Sequence, residues 1–149
     1  MSIPSLIPAD RVISESSAAS KRALLTDMAA ALPTMDPDLV LEVVMAREQL
    51  GSTGIGHGVA IPHGRMPDLT TPIVVLARHR QGIDFDAIDG KPVHIVIMLL
   101  VPDNEDRTHL ELLARLARLL QKEDFRQRIM DADDVQAVSQ LFEGEAANP

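Results

Sequence analysis

An almost wholly apolar run occupies residues 93–101 and has the sequence VHIVIMLLV. The run contains several β-branched side chains, which favour an extended backbone, and it is far too short to cross a bilayer as a helix. Apolar residues without a polar alternation are typical of a strand whose two faces are both covered. We therefore predict a central strand at residues 93–101 that is buried on both faces.

The residues before this run predict two helices and several short strands. Ser17 or Ser20 can cap a first helix that ends near Leu32. Asp36 followed by Pro37 is a typical helix start, and it predicts a second helix that runs to about Leu50. β-branched runs predict strands at residues 11–13, 59–61 and 73–77, and a loop is expected at residues 82–90.

The residues after the run predict helices at about 106–122, 124–130 and 134–142. The face of the first is expected to carry Leu110, Leu113, Ala117 and Leu120, widened by other leucines. Helices, then strands, then helices predict an α/β fold in which helices flank a mixed sheet on both faces. We expect one domain over residues 1–149, with an irregular arm at about 1–9 and a frayed tail at about 143–149.

The composition excludes several classes of protein. A length of 149 residues fits one domain, and the absence of Cys excludes disulfide scaffolds, thiolate metal sites and cysteine nucleophiles. Trp and Tyr are absent, and the net charge is −8, so a nucleic-acid partner is disfavoured. No targeting or membrane-spanning segment is recognisable, so we expect a cytoplasmic protein without membrane insertion.

Candidate functional residues are concentrated between Arg47, at a cationic helix end, and His63. His63 stands between Pro62 and Gly64. Pro62 restricts the backbone, and Gly64 removes a side chain so that a partner's backbone can approach. This setting suits a nucleophilic histidine. Taken alone, however, the tripeptide favours an ordinary turn that happens to contain a histidine.

A glycine-rich loop at residues 51–58 separates these two parts. It lacks the lysine of a Walker A loop and the G-x-G-x-x-G spacing, so it does not predict a nucleotide site. The hydroxyls of Ser52 and Thr53 and the backbone N–H groups suit a phosphoryl group that is attached to a side chain. A bend without a ligand fits the loop about equally well.

A second histidine, His109, follows Thr108 at the start of the helix that comes after the buried strand. Strand ends and helix N-termini are where open α/β sheets bind ligands. If strand 59–61 lies beside strand 93–101, His63 and His109 are brought together. One can then accept a phosphoryl group while the other donates a hydrogen bond to its oxygens, although His109 alone fits a polar residue without a role.

The remaining histidines and the acidic loop are weaker candidates. His57 lies in the glycine-rich loop and can touch a ligand, His79 is expected at a solvated strand end, and His94 is expected to be a satisfied core residue. No His-x-x-x-His or His-Glu-x-x-His pair occurs, and the aspartates at 84, 86 and 89 miss the calcium-loop spacing. A histidine metal site is therefore the least favoured alternative.

Four segments together resemble a known family. They are REQLGSTGIG at residues 47–56, GVAIPHG at 58–64, LVP at 100–102 and THL at 108–110. They resemble the IIA domain of the bacterial phosphotransferase system, in the mannitol/fructose superfamily. GSTGIG and the sequence FDAID at residues 85–89 are most similar to the nitrogen-regulatory branch. The chain departs from the family pattern at His57, where many members carry Asn.

The resemblance implies a fold and a set of roles. The fold is a mixed five-stranded sheet flanked by helices, and the activity is that of a phosphotransferase. His63 accepts a phosphoryl group from the phosphohistidine of an HPr-like carrier, and His109 orients and hydrogen-bonds it. Arg47, Ser52 and Thr53 supply positive charge and donors, and no metal or other cofactor is required.

The resemblance also implies partners beyond the carrier, namely regulatory targets such as potassium transporters or sensor kinases. Two other functions remain open from the sequence. One is a sugar-transport IIA component that passes its phosphoryl group to a IIB domain. The other is a pure interaction module in which His63 has no chemical role.

Overall fold

The apolar run forms the middle of the sheet, as predicted. The computed structural model describes residues 7–32, 35–67, 69–103 and 107–146, with side chains described except at 107–109 and 144–146. The helices are α1 (Lys21–Ala30), α2 (Pro37–Leu50), α3 (Arg107–Leu120), α4 (Glu123–Asp131) and α5 (Val135–Ala146). The strands are β1 (Val12–Ile13), β2 (Gly54–Gly56), β3 (Val59–Ala60), β4 (His63–Met66), β5 (Ile73–Ile83) and β6 (Val93–Pro102).

Strand β6 lies in the centre of the sheet. It pairs antiparallel with β5 and parallel with β3 and β4, in the order β1-β5-β6-β3-β2, with β4 also beside β6. Its alternate residues enter two cores. Ile95, Ile97 and Leu99 pack on the face covered by α3, α4 and α5, whereas Val96 and Met98 pack on the face covered by α1 and α2. The predicted α/β fold, with a mixed sheet and helices on both faces, is confirmed.

Strands β3 and β4 are two halves of one line beside β6. Ala60 is opposite Val96 and His63 is opposite Leu99, so the register is the same on both sides of the break. The carbonyl oxygen of Pro62 still accepts a hydrogen bond from the Leu99 N–H at 2.9 Å. Pro62 has no N–H to give to a ladder, and the line is interrupted there. This interruption is why the described residues form six strands where the resemblance implied five.

The predicted starts of α1 and α2 are confirmed. The Ser20 hydroxyl caps α1 by accepting a hydrogen bond from the Ala23 N–H at 3.1 Å. The Asp36 carboxylate accepts one from the Asp38 N–H at 3.0 Å, and Pro37 occupies the first helical position of α2. Both caps satisfy donors that a helix N-terminus leaves without intrahelical partners.

Two elements differ from the prediction in length. β5 continues to Ile83 instead of ending at Ala77, because Arg78 and His79 are buried side chains of the strand. The prediction that His79 lies at a solvated strand end is therefore wrong. α5 continues to Ala146, past the predicted end at Phe142, so the start of the predicted frayed tail is helical. The predicted arm falls largely on residues outside the described set.

The buried face of α3 differs from the prediction at one position, Leu110, which is 59% exposed. Leu120 is fully buried, and Leu113 and Ala117 pack partly buried against the core, as predicted. The leucines expected to widen this face, Leu112, Leu116 and Leu119, are buried too. Charged residues such as Glu111, Arg115 and Arg118 lie together on the other side of the helix, so its periodicity predicts the buried face apart from Leu110. None of the helices in the described ranges is long and apolar enough to cross a membrane.

The side chain of the fully buried Arg78 connects the residue after β1 with the end of α4. Its Nε donates to the Ser14 carbonyl at 2.8 Å, and its Nη1 donates to the carbonyls of Ile129 and Ala132, both at 2.8 Å. Burial, and to a lesser degree the neighbouring Arg80, lowers the pKa of the Arg78 guanidinium. The carbonyls at the end of α4 replace the water that this cation loses.

Candidate functional site

His63 stands at the break between β3 and β4, where Pro62 interrupts the line of strand residues. The side chain is half-buried, and its Nδ1 lies 2.9 Å from the carbonyl oxygen of Ile61. A carbonyl oxygen only accepts hydrogen bonds, so Nδ1 carries the proton of the neutral ring. The lone pair of that tautomer is then on Nε2, which is the nitrogen with the capacity to act as a nucleophile.

The register places His63 on the α3 side of the sheet. Paired residues of parallel strands point to the same face, and the partner of His63 is Leu99, which packs in the core under α3. His109 belongs to the first turn of α3, but its side chain lies outside the described residues. The predicted meeting of the two histidines therefore remains a prediction, with the shared face as its support.

The structure brings His63 and Arg47 together in one surface depression of about 400 Å³. Its lining also includes Arg65, which the sequence reasoning did not assign to the site, and the side chain of Leu50, which is 86% exposed. Among the described lining residues, the charged ones are arginines. The depression therefore combines a histidine with positive charge beside an exposed apolar rim.

The two arginines reach the depression from different elements. Arg47 is in the last turn of α2, where its Nη1 donates to the Gly51 carbonyl at 2.8 Å and so is held at the helix end. Arg65 is two residues after His63 on β4, and alternation along a strand puts both on one face. This spacing is the signal in the sequence that could have identified Arg65.

Ser52 and Thr53 are not among the residues that line this depression. The Ser52 hydroxyl donates to the Phe85 carbonyl at 2.7 Å, and the hydroxyl of the buried Thr53 donates to the Glu48 carboxylate. Both hydroxyls thus hold the glycine-rich loop onto its neighbours. Their contact with a phosphoryl group stays a prediction.

Glu48 is a buried acid that the sequence reasoning missed. Its carboxylate accepts hydrogen bonds from the Thr53 N–H at 3.1 Å and from the Lys21 ammonium at 3.1 Å. Lys21 also lies 3.4 Å from the Asp86 carboxylate and 5.0 Å from the centre of the Phe85 ring. This cluster joins α1, α2 and the loops at residues 51–53 and 84–86. The sequence signal that could have found Glu48 is its position on the apolar row of α2 that carries Val40 and Val44.

The space beside Gly64 is occupied by α2 of the same chain. A Cβ at residue 64 would lie 2.5 Å from Cγ1 of Val43, closer than such contacts occur. Gly64 therefore allows α2 to pack against β4 and to bring Arg47 towards His63. The expectation that this glycine opens space for a partner's backbone is corrected.

The other histidines lie away from this depression. His94 Nδ1 is 3.1 Å from the His79 carbonyl, and His79 Nε2 is 2.9 Å from the Ala18 carbonyl. The His57 backbone donates to the Asp89 carboxylate at 3.2 Å. Hydrogen bonds from the Lys91 and His57 backbones lower the pKa of Asp89, that of Lys91 more strongly. Within the described residues, no three potential ligands are grouped so as to hold a metal ion.

Known proteins resemble this chain over most of its length. The family described as "Phosphoenolpyruvate-dependent sugar phosphotransferase system, EIIA 2" matches residues 5–145. A nitrogen regulatory protein of Bradyrhizobium diazoefficiens is 38% identical over 141 residues, which are 93% of this chain and 92% of that protein. A fructose-specific EIIA component of Haloferax volcanii is 38% identical over 107 residues, which are 72% of this chain and 70% of that protein.

A solved structure is similar to this chain in both fold and sequence. The crystal structure of the nitrogen regulatory protein IIA-Ntr from Neisseria meningitidis has a TM-score of 0.89 and 34% identity, and the match covers 94% of this chain and 98% of that one. The depression around His63 thus lies in a fold that this relative shares. The chain belongs to the EIIA 2 family of the phosphoenolpyruvate-dependent sugar phosphotransferase system.

Proposed function

We propose that this chain is a phosphocarrier of the nitrogen phosphotransferase system. His63 accepts a phosphoryl group from the phosphohistidine of an HPr-like carrier, and the phosphorylation state of His63 controls the binding of regulatory partner proteins. The observation that carries the proposal is the bond between His63 Nδ1 and the Ile61 carbonyl. It presents the ring as an Nε2 nucleophile beside two arginines, in a chain of the EIIA 2 family.

The proposed transfer exchanges one phosphorus–nitrogen bond for another. The lone pair on His63 Nε2 attacks the phosphorus, and the bond to the carrier's imidazole nitrogen breaks, which returns the electron pair to the carrier. No further co-reactant is needed for this balance. The reaction is roughly in line, with negative charge spread over three oxygens, so positioning and positive charge supply most of the catalysis.

The residues around His63 have distinct proposed roles. The Ile61 carbonyl keeps accepting from Nδ1–H as the ring becomes phosphorylated and positively charged, and so it positions the nucleophile before and after the transfer. Arg47 and Arg65 line the same depression and stabilise the negative charge of the phosphoryl oxygens. His109, on the face that His63 shares, is proposed to orient the phosphoryl group through a hydrogen bond.

The nitrogen-regulatory branch is favoured over sugar transport by the extent of the resemblance. The Bradyrhizobium nitrogen regulatory protein and the Haloferax fructose component have the same identity to this chain, but the former matches 93% of it and the latter 72%. Phosphorylation of His63 can control partner binding directly, through the charge of the surface around it. Phosphorylation adds about two negative charges at a cationic surface next to the exposed Leu50, and this changes which partner surface fits.

The test is to charge the full chain from two phosphorylated carriers and then to follow its discharge. One carrier belongs to the nitrogen branch and the other to the sugar branch, and the acceptor is a fructose-type IIB domain. The proposal predicts that the nitrogen-branch carrier phosphorylates the chain faster. It also predicts that the phosphorylated chain passes its phosphoryl group only slowly to the IIB domain. Rapid, complete transfer to IIB would instead establish the sugar-transport role, and no charging from either carrier would leave an interaction module.

A further inference from the structure

A second cavity, of about 350 Å³, lies at the opposite end of β6 from His63. It borders His94 and Ile95 near the start of the strand, whereas His63 pairs with Leu99. An extended strand rises by about 3.3 Å per residue, so the two sites are separated by roughly 17 Å along β6. The cavity is therefore a separate feature of the surface, and nothing in the transfer at His63 uses it.

The charge of this cavity is opposite to that of the whole chain. Two arginines, Arg80 and Arg126, and two histidines, His57 and His94, line it. Glu123, which is exposed at the start of α4, is the one carboxylate among the described lining residues. In a protein with a net charge of −8, such a concentration of cationic donors selects for an anion.

Both guanidinium groups are fixed in place by carbonyls at helix ends. Arg126 Nη1 donates to the Leu120 and Gln121 carbonyls at 2.9 and 2.7 Å. Arg80 Nη1 donates to the Met130 carbonyl at 3.1 Å, and its Nε lies 3.4 Å from the Glu15 carboxylate. Within the described part of the chain, the Nη2 atoms of both arginines have no hydrogen-bond partner. Each arginine thus retains donors on a group that is already ordered.

The His94 ring adds a directed polar atom. Its Nδ1 donates to the His79 carbonyl at 3.1 Å, which leaves Nε2 with the lone pair in the neutral ring. A Cβ at Gly82 would lie 2.9 Å from the ring, and one at Gly58 would lie 3.4 Å from it. The half-buried ring is therefore seated between two glycines and held in one orientation.

We propose that this cavity binds a small dianion, with Arg80 and Arg126 on its oxyanion groups and His94 Nε2 accepting from a protonated oxygen or hydroxyl of the ligand. Its volume is within the range of small-molecule sites, roughly 300–1,000 Å³. Planar guanidinium donors suit phosphate and carboxylate oxygens alike. The shared ligand chemistry is thus a compact oxyanion, either a phosphoryl group or a dicarboxylate.

The test is residue-resolved NMR on the full, isotope-labelled chain, titrated separately with inorganic phosphate and with succinate. The proposal predicts saturable shifts of the Gly58, Ile95 and Gln127 amides with at least one probe. The probe that binds assigns the source, phosphoryl or carboxylate. The Gly64 and Arg65 amides report on the depression at His63, so binding at the two sites is distinguished in one spectrum.

Matched variants on α4 complete the design. Arg126→Gln is expected to weaken binding by about tenfold, the size of one charge-assisted hydrogen bond. Arg128→Gln removes the same charge from an exposed side chain of the same helix that pairs with Asp124 outside the cavity, and it should leave the affinity unchanged.

Arg126 also binds the end of α3, so a second variant guards against loss of the fold. Gln127→Glu adds a carboxylate at the cavity wall and is expected to weaken binding by repulsion. The proposal is overturned if neither probe shifts the cavity amides with saturation, if the shifts are confined to Gly64 and Arg65, or if Arg128→Gln weakens binding as much as the cavity variants do.

Discussion

The carbonyl oxygen of Ile61 lies 2.9 Å from Nδ1 of His63 and fixes which ring nitrogen carries the proton. This bond predicts that the phosphoryl group is attached to Nε2. Nitrogen-15 NMR of the phosphorylated, histidine-labelled chain distinguishes the two positions. A phosphoryl group on Nδ1 would mean that the bond to Ile61 breaks during transfer and does not position the nucleophile.

Arg47 is expected to contribute to the rate of transfer more than to the fold. The half-buried Arg47 lines the depression with His63, while its Nη1 donates to the Gly51 carbonyl. Arg47→Gln should slow phosphoryl transfer from the carrier by about tenfold, the size of one charge-assisted interaction. Quenched-flow kinetics measure this effect, and Arg128→Gln, with the same change in charge on α4, should transfer at the wild-type rate. If Arg47→Gln also transfers at the wild-type rate, Arg47 does not contribute to the transfer.

Glu48 is expected to be critical for the fold around the glycine-rich loop. Glu48→Ala leaves the Lys21 ammonium and the Thr53 N–H without their buried acceptor. Breaking such a buried pair costs about 3 kcal/mol in the free energy of unfolding. Urea denaturation tests this, with Glu42→Ala on the exposed face of α2 as the control, expected within about 0.5 kcal/mol of wild type. Similar losses in the two variants would contradict a special role for Glu48.

Gly64 is expected to set the distance between α2 and β4. Gly64→Ala places a Cβ against the Val43 side chain and should lower the free energy of unfolding by about 1–3 kcal/mol. The same substitution in a Val43→Ala background should cost much less, because the clashing methyl groups are gone. A double-mutant cycle measures this coupling. Additive losses would show that the cost at Gly64 has a different origin, such as backbone conformation.

The features that the sequence predicted well are those with local chemistry. The caps at Ser20 and Asp36 and the buried strand β6 depend on patterns a few residues long, and all are confirmed. The histidine segment around Pro62 also carried the resemblance that identified the family. Such features are visible in a sequence because neighbouring residues cause them.

The features that it missed depend on contacts between distant residues. Arg78 is buried because carbonyls from α4 surround it, and those carbonyls are more than fifty positions away along the chain. The sequence did not show the hydrogen bonds of the Ser52 and Thr53 hydroxyls to Phe85 and Glu48, because these acceptors are brought to them only by folding. A hydroxyl in a glycine-rich loop has the same sequence pattern whether it binds a phosphoryl group or an acceptor of its own chain.

The most direct test of the central claim is the intact mass of the chain after incubation with a phosphorylated nitrogen-branch HPr-like carrier. Wild type and His63→Ala are compared, with His57→Asn as a control that changes a histidine outside the depression. We predict that wild type and His57→Asn each gain one phosphoryl group and that His63→Ala gains none. A phosphoryl group on the His63→Ala protein, at the wild-type rate, would contradict the assignment of His63 as the acceptor.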